Sequence, residues 1–265
     1  MAATHLTVTS TEWVTPRLRR LWFHSDDLSA FTGSEHTDRY VKLVFPKPGV
    51  ELPEPLDLRA LRGQLPAEDM PTVRTYTALF PDVEAGTAAI DFVIHGDEGV
   101  AGRWAAAAQP GEQLLVTGPG GAYRPDPSAD WHLLVGDESA IPAITAALTV
   151  LAELPDAVPV RVVALVDDAA HEPVLPLPPG AEVTWVHRSA GGGDAALEEA
   201  VRAVEWLPGR VQAFVHGEAS QVMHGIRPYL LRERRLPRSQ VSVSGYWRHG
   251  RTEEGFRAWK SQQPR

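Results

Sequence analysis

At residues 124–127 the chain reads Arg-Pro-Asp-Pro, and apolar residues follow different rules on its two sides. Upstream, short runs of strand-forming residues are separated by turn residues, at 6–9, 18–24, 39–45, 73–80, 88–95 and 113–118. Six short strands and one small helix near 103–108 point to a closed antiparallel barrel. Downstream, near-continuous apolar runs at 131–135, 160–166, 183–187, 211–215 and 241–246 alternate with helical stretches. Those helices are expected at 141–154, 195–206 and 220–232, with a last one at 253–260. A strand that is apolar throughout is buried on both faces, and strand–helix alternation implies a parallel sheet with helices on both faces. The expected organisation is therefore β + α/β: a six-stranded antiparallel β-barrel over 1–124, then a parallel-sheet α/β domain over 128–265.

Composition removes several function classes. The 265 residues carry a formal net charge of −9, which argues against a nucleic-acid partner, because a phosphate backbone needs a basic surface. No apolar run approaches the roughly 20 residues of a membrane span. The first residues lack the apolar core of a secretory signal, so the cytoplasm is the default location and a monomer the default state. There is no cysteine, hence no disulfide, thiolate nucleophile or cysteine-ligated iron–sulfur cluster. Any redox chemistry needs an organic cofactor. The histidines show neither HxxxH nor HExxH spacing, so no protein metal site is expected, and no nucleophile elbow is present.

Two runs in the first half carry chemistry. In Arg74-Thr75-Tyr76-Thr77, strand alternation puts Arg74 and Tyr76 on one face and the threonines on the other. An Arg/Tyr face is poor core material and suits a flat, anionic ligand, since the ring can stack and the guanidinium can fork onto a phosphate. After the strand that holds Asp91, Val93 and His95 come Gly96, Gly99, Val100, Ala101, Gly102 and Trp104. A glycine-rich turn feeding a helix presents free N–H groups and a positive dipole end to an anion. Between the third and fourth strands, residues 46–71 hold six prolines and read as a long surface connection. On the third strand, Lys42 shares a face with Tyr40 and Val44 and looks outward or into a cavity.

In an open parallel sheet, ligands bind at the carboxyl ends of the strands. Five runs lie there: Gly136-Asp137-Glu138-Ser139, Asp167-Asp168, His187-Arg188-Ser189, Gly217-Glu218 and Tyr246-Trp247-Arg248. The first lacks the GxGxxG dinucleotide fingerprint, yet a strand–Gly–helix turn can still cradle a pyrophosphate. Arg188 reads either as a solvated surface residue or as a partner for a phosphate. The acids at 167 and 168 could instead accept bonds from a ribose.

Together, RTYT, DFVIHG…VAGRWA, GPGGAY, GDESAIPAI, HGE and SGYWRHG resemble the siderophore-interacting proteins. These are FAD-containing ferric-siderophore reductases of the ferredoxin–NADP reductase superfamily. The resemblance runs from the first strand to Trp259. It implies an FAD site at Arg74, Thr75, Tyr76, Thr77, Asp91, Val93, His95, Val100, Ala101, Gly102 and Trp104. It implies a nicotinamide-nucleotide site at Gly136, Asp137, Glu138, Ser139, Arg188, Gly217, Glu218 and Trp247. It further implies Lys42 and Arg248 at the mouth of a cavity for the substrate, a ferric siderophore. NADPH or NADH would be the donor, with Arg188 leaning towards NADPH, and no catalytic acid or base is needed. A flavin or ferredoxin-coupled reductase and a non-enzymatic siderophore binder are the alternatives. Two departures stand out: Gly102 where relatives often carry a hydroxyl, and Val100-Ala101 where Pro-Ala is commoner.

Overall fold

Strand formation in the first half follows the expected runs and extends past them. In the computed structural model, which describes residues 3–94, 99–191, 195–251 and 255, the strands are β1 (Ala3–Thr15), β2 (Leu18–His24), β3 (Tyr40–Phe45), β4 (Thr72–Asp82), β5 (Thr87–Val93) and β6 (Gln113–Gly120). They close into an antiparallel barrel in the order β1-β2-β5-β4-β3-β6. β1 runs well beyond the expected 6–9, because it pairs with β6 at its start and with β2 along the rest. The barrel core includes Leu21, Phe23, Leu43, Ile90 and Phe92, all inward by the period-2 rule.

Helix α1 (Val100–Ala107) starts three residues before the expected position and buries Ala101 and Ala105 in the barrel core. Its carboxyl end is held by Arg19 of β2. That guanidinium donates to the carbonyls of Ala106 and, at 3.2 Å, Ala108, and to Thr11 Oγ1 at 2.9 Å. A cation on the last carbonyls suits the negative end of the helix dipole.

The proline-rich connection is not a loose surface loop. Leu56 and Leu61 are buried with Val44 in a second apolar cluster, joined by partly buried Leu52, Leu58, Leu65 and Met70. This explains why Val44 is buried although it lies on the Lys42 face of β3. Lys42 itself is exposed.

The chain divides into two units, Met1–Ala122 and Tyr123–Arg265. The second holds β7 (Trp131–Asp137), β8 (Val160–Val166), β9 (Glu182–His187), β10 (Val211–Glu218) and β11 (Val241–Trp247). All pair in parallel, in the order β11-β10-β7-β8-β9. Chain direction across the sheet reverses at the β7/β10 boundary, the place where such sheets open a crevice at their carboxyl edge. α2 (Ile141–Ala152) packs on β7, while α3 (Ala195–Ala203) packs on β8 and β9 and buries Leu197 and Val201 in one apolar cluster with Trp131, Leu133 and Val135.

The expected helix at 220–232 is present as a continuous helical stretch over 219–233, widened to π-helical geometry at Gln221–Ile226 and Tyr229–Glu233. Pro228 lies between them and cannot donate to the carbonyl four residues back, so the backbone widens on either side. The expected helix at 253–260 lies outside the described residues, apart from Gly255. No helix among the described residues is long and apolar enough to cross a membrane.

Candidate functional site

The described residues among those expected to hold the flavin lie on β4, β5 and α1. Cross-strand pairing sets Arg74 opposite Leu43 and Tyr76 opposite Val41. Both partners are core residues, so the Arg/Tyr face is the one turned to the barrel interior, not away from it. Tyr76 is half-buried, with its ring centroid 4.7 Å from Phe92. Phe92 in turn meets Trp104 edge-on at 5.9 Å, and Trp104 meets Phe45 at 6.0 Å. This aromatic chain ties β4, β5, α1 and β3 together. Arg74 is half-buried, and its Nη1 donates to the Val73 carbonyl at 3.0 Å. Thr75 is exposed opposite Lys42, while Thr77 is buried.

Asp91 is separated from this group by a stronger commitment. It is 2 % exposed, and both its oxygens accept from Arg20 of β2, at 2.7 and 2.8 Å. Burial raises its carboxyl above the ordinary range, and the Arg20 partner pulls it part of the way back. Val93 ends β5 beside α1, and His95 lies outside the described residues.

The amino end of α1 fits a phosphate. Gly99 caps it at φ +84°, a backbone conformation that favours glycine; it offers no side-chain cap, and among the described residues nothing stands within 4 Å of where a Cβ would be. The first N–H groups of a helix have no intrahelical partner, so an uncapped first turn can bond the oxygens of an anion. Val100, Ala101 and Gly102 form that turn. At Gly102 a Cβ would stand 3.7 Å from the Val93 carbonyl oxygen, an ordinary contact, so the absent hydroxyl is not forced by lack of space. Backbone donors next to an aromatic-anchored Arg/Tyr face are a donor set that suits FAD.

In the second unit the carboxyl edge is organised by Asp137. This side chain is 1 % exposed and accepts four hydrogen bonds. Its Oδ1 takes the Ser139 N–H at 2.9 Å and the Ser139 hydroxyl at 2.5 Å. Its Oδ2 takes the Glu218 N–H and the Trp247 indole N–H, each at 2.8 Å. The ends of β7, β10 and β11 are thereby fastened to one carboxylate. Two glycines make room for this. A Cβ on Gly136 would collide with Ala140 and the His216 carbonyl, and one on Gly217, at φ +149°, would stand 2.8 Å from Asp137 Oδ2.

Gly217 and Glu218 lie at the carboxyl end of the strand, as expected, and are its last two residues. Glu218 is buried and accepts from Gln221 N–H at 2.9 Å and His249 N–H at 3.2 Å. Next to it, the His216 imidazole bridges Tyr246 Oη at 2.9 Å and Ser242 Oγ at 3.0 Å.

Arg188 is no solvated surface residue. Its Nη1 donates to Glu138 and, at 3.2 Å, to Asp167. Burial lowers the guanidinium's pKa, but the Glu138 hydrogen bond and the charges of Glu138, Asp137 and Asp167 more than offset this and leave it raised. Two histidine–carboxylate pairs lie on the segments that follow β8 and end β9, His171 with Asp168 and His187 with Glu172, both at 2.7 Å. Trp247 is exposed on its outer side and Arg248 is half-buried.

Sequence reasoning missed Arg20, Phe92 and the joining of Asp137 to Trp247. An arginine and an aspartate amid apolar strand residues were the available signal for the Arg20–Asp91 pair. Nothing local marks the Asp137–Trp247 bond, which spans 110 residues.

A barrel with a phosphate-ready helix, followed by a parallel sheet with a carboxyl-edge crevice, defines the architecture of the ferredoxin reductase-like proteins. The ferredoxin reductase of carbazole 1,9a-dioxygenase shares it at a TM-score of 0.67 and 16% identity, over 93% of this chain and 70% of that one, a likeness of fold alone. Residues 7–123 match the siderophore-interacting FAD-binding domain, and residues 129–250 match the siderophore-interacting protein family. An uncharacterised protein of Mycobacterium tuberculosis is 46% identical over 96% of this chain and 93% of its own. The ferric vibriobactin reductase ViuB of Vibrio cholerae is 31% identical over 92% of this chain and 89% of its own. The structure of a siderophore utilization protein from T. fusca superposes with a TM-score of 0.77 at 37% identity, covering 94% of each chain. The chain belongs to the siderophore-interacting protein family.

Proposed function

We propose that this protein is an FAD-dependent reductase of ferric siderophores that draws its electrons from a reduced nicotinamide nucleotide. The observation that carries the reading is the glycine-led first turn of α1, set on the barrel by Trp104 against Phe92, which in turn packs on Tyr76. The vibriobactin reductase among the relatives supports the substrate class.

The residues take the following roles. Arg74 and Tyr76 hold and orient the flavin, with Thr75 and Thr77 contributing hydroxyls. The N–H groups of Val100, Ala101 and Gly102 receive the pyrophosphate. Trp104 fixes that helix, and Asp91 acts through Arg20 to hold β5 and Val93 in place. In the sheet unit, Gly136, Asp137, Ser139, Gly217, Glu218 and Trp247 shape the nucleotide crevice, with Glu138 and Arg188 at its rim. Bound FAD supplies the conversion of a two-electron hydride donor into single-electron delivery to iron. Fe(III) in the chelate gains one electron, and Fe(II), a poorer partner for hard oxygen ligands, leaves for cellular use. Lys42 on the barrel and Arg248 on the sheet unit are the cations proposed to attract an acidic chelate to a protein of net charge −9. The cytoplasm is the proposed location.

The test is spectroscopic. The purified protein should be yellow, lose its visible flavin band on anaerobic addition of NADH or NADPH, and regain it on titration with ferric chelates. Arg74→Ala should lower flavin content. A folded protein that binds no flavin at micromolar FAD, or an Arg74→Ala variant with undiminished flavin, would sink this assignment.

A further inference from the structure

The ion cluster around Arg188 has a bearing on which nicotinamide nucleotide is used, and the reasoning rests on the function proposed above. Arg188 begins the turn after β9, Asp167 follows β8, and Glu138 follows β7. The guanidinium therefore spans the carboxyl ends of three adjacent strands, with both carboxylates on the same nitrogen. This is the part of a parallel sheet where the adenosine end of a dinucleotide comes to rest.

The chemical distinction between NADPH and NADH is one phosphate on the adenosine ribose, carrying a charge of about −2. A lone arginine there would favour the phosphate. Here it is already neutralised. Glu138 and Asp167 both accept from the one guanidinium and Asp137 adds its charge, while the His171 and His187 imidazoles are themselves bonded to Asp168 and Glu172. A 2′-phosphate arriving here would have to displace Glu138 from Arg188 and then sit among like charges in a half-buried setting, where screening is weak. A ribose diol meets no such opposition, because its hydroxyls can donate to the carboxylates.

We propose that Glu138 and Asp167, by occupying Arg188, make this protein selective for NADH over NADPH. Glu138 and Asp167 are specificity-determining residues, and Arg188 serves to hold them in place rather than to receive a phosphate.

Two measurements test this. Isothermal titration of the holoprotein with adenosine 5′-monophosphate and with 2′,5′-ADP reads the adenosine site without turnover. The first should bind about tenfold tighter than the second. In a Glu138→Gln/Asp167→Asn double variant the order should level or reverse, because Arg188 is then released. Anaerobic bleaching of the visible flavin band by NADH and NADPH should show the same order in kcat/KM, and the same loss of preference in the variant. Equal affinities, tighter binding of 2′,5′-ADP, binding of neither nucleotide, or a preference unmoved by the double substitution would overturn the inference. Those outcomes leave the reductase reading standing so long as either nicotinamide bleaches the flavin. If neither does, the reductase reading fails as well.

Discussion

The two candidate sites rest on opposite kinds of support. At the mouth of the barrel, position is fixed by apolar packing: Tyr76 on Phe92, Phe92 on Trp104, and three alanines of the α1 segment set into the core. The groups proposed to meet a ligand there are the backbone N–H donors of the first turn of α1 and Arg74. At the carboxyl edge of the sheet, position is fixed by charge. One buried carboxylate at the end of β7 collects donors from the turn after it and from the ends of β10 and β11, and a guanidinium is shared between two more carboxylates. A packed site tolerates changes of polarity at its rim but not of volume beneath it. A charge-fastened site tolerates changes of volume better than the loss of a single oxygen.

The largest expected effect tests the packed side. Phe92→Ala removes the ring that both Tyr76 and Trp104 touch, from a fully buried position, and should cost about 4 kcal/mol in urea unfolding. Phe92→Leu should restore most of it. A loss under about 1 kcal/mol would mean that α1 is held in some other way.

Asp137→Ala is the matching cut on the charged side. It leaves the Glu218 N–H and the Trp247 indole N–H without their acceptor, and should cost about 3 kcal/mol. Asp137→Asn keeps one acceptor oxygen and should lose clearly less. Near-equal losses for the two variants would show that the volume of the side chain matters more than its charge, and the contrast between the sites would disappear.

The third expectation uses pH. His132 on β7 is fully buried, and neither ring nitrogen has a hydrogen-bond partner among the described residues. Burial holds its pKa down to about 4, with Asp126 pulling up and Arg210 down. Above pH ~6.5 the ring is neutral in both the folded and unfolded states and contributes nothing. As the pH falls below that, the unfolded ring takes a proton and the folded one does not, so stability drops until about pH 4. The drop is about 2 kcal/mol at pH 5. His132→Leu should remove this part of the slope, read as the difference between the two proteins in urea midpoints from pH 7 to 4.5. Parallel pH profiles would refute the assignment.

The smallest effect is Gly102→Ser. Space is available, and serine replaces a residue that weakens helices, so stability should rise by about 0.5 kcal/mol. Flavin should bind at least as tightly, since a hydroxyl joins the N–H groups of the first turn. Weaker binding in a calorimetric titration with FAD would place the pyrophosphate elsewhere.

Legibility in the sequence followed the range of the forces involved. Short-range signals were readable: the period of the barrel strands and the near-continuous apolar runs of β7 and β8. Readings failed where a distant partner decided the outcome. β1 reached back to Ala3 because β6 pairs with it there. The 46–71 connection became a packed cover because Val44 offered it an apolar seat. Arg74 and Tyr76 shared a face as alternation requires, but only the register with Leu43 and Val41 shows that this face points inward. Asp137 gave no hint that it would serve Glu218 and Trp247, since a hydrogen bond across 110 residues leaves no periodic trace.

The grip of Asp137 on Trp247 has a consequence for how this sheet comes apart. β11 lies at the margin of its sheet, and marginal strands ordinarily fray first. Here the last residue of that strand is fastened to the end of the central strand β7, so peeling it away takes a donor from the buried carboxylate at the heart of the unit. Fraying at the rim is thereby joined to opening at the centre, and the backbone amides of the outermost strand should exchange with solvent as slowly as those of its middle.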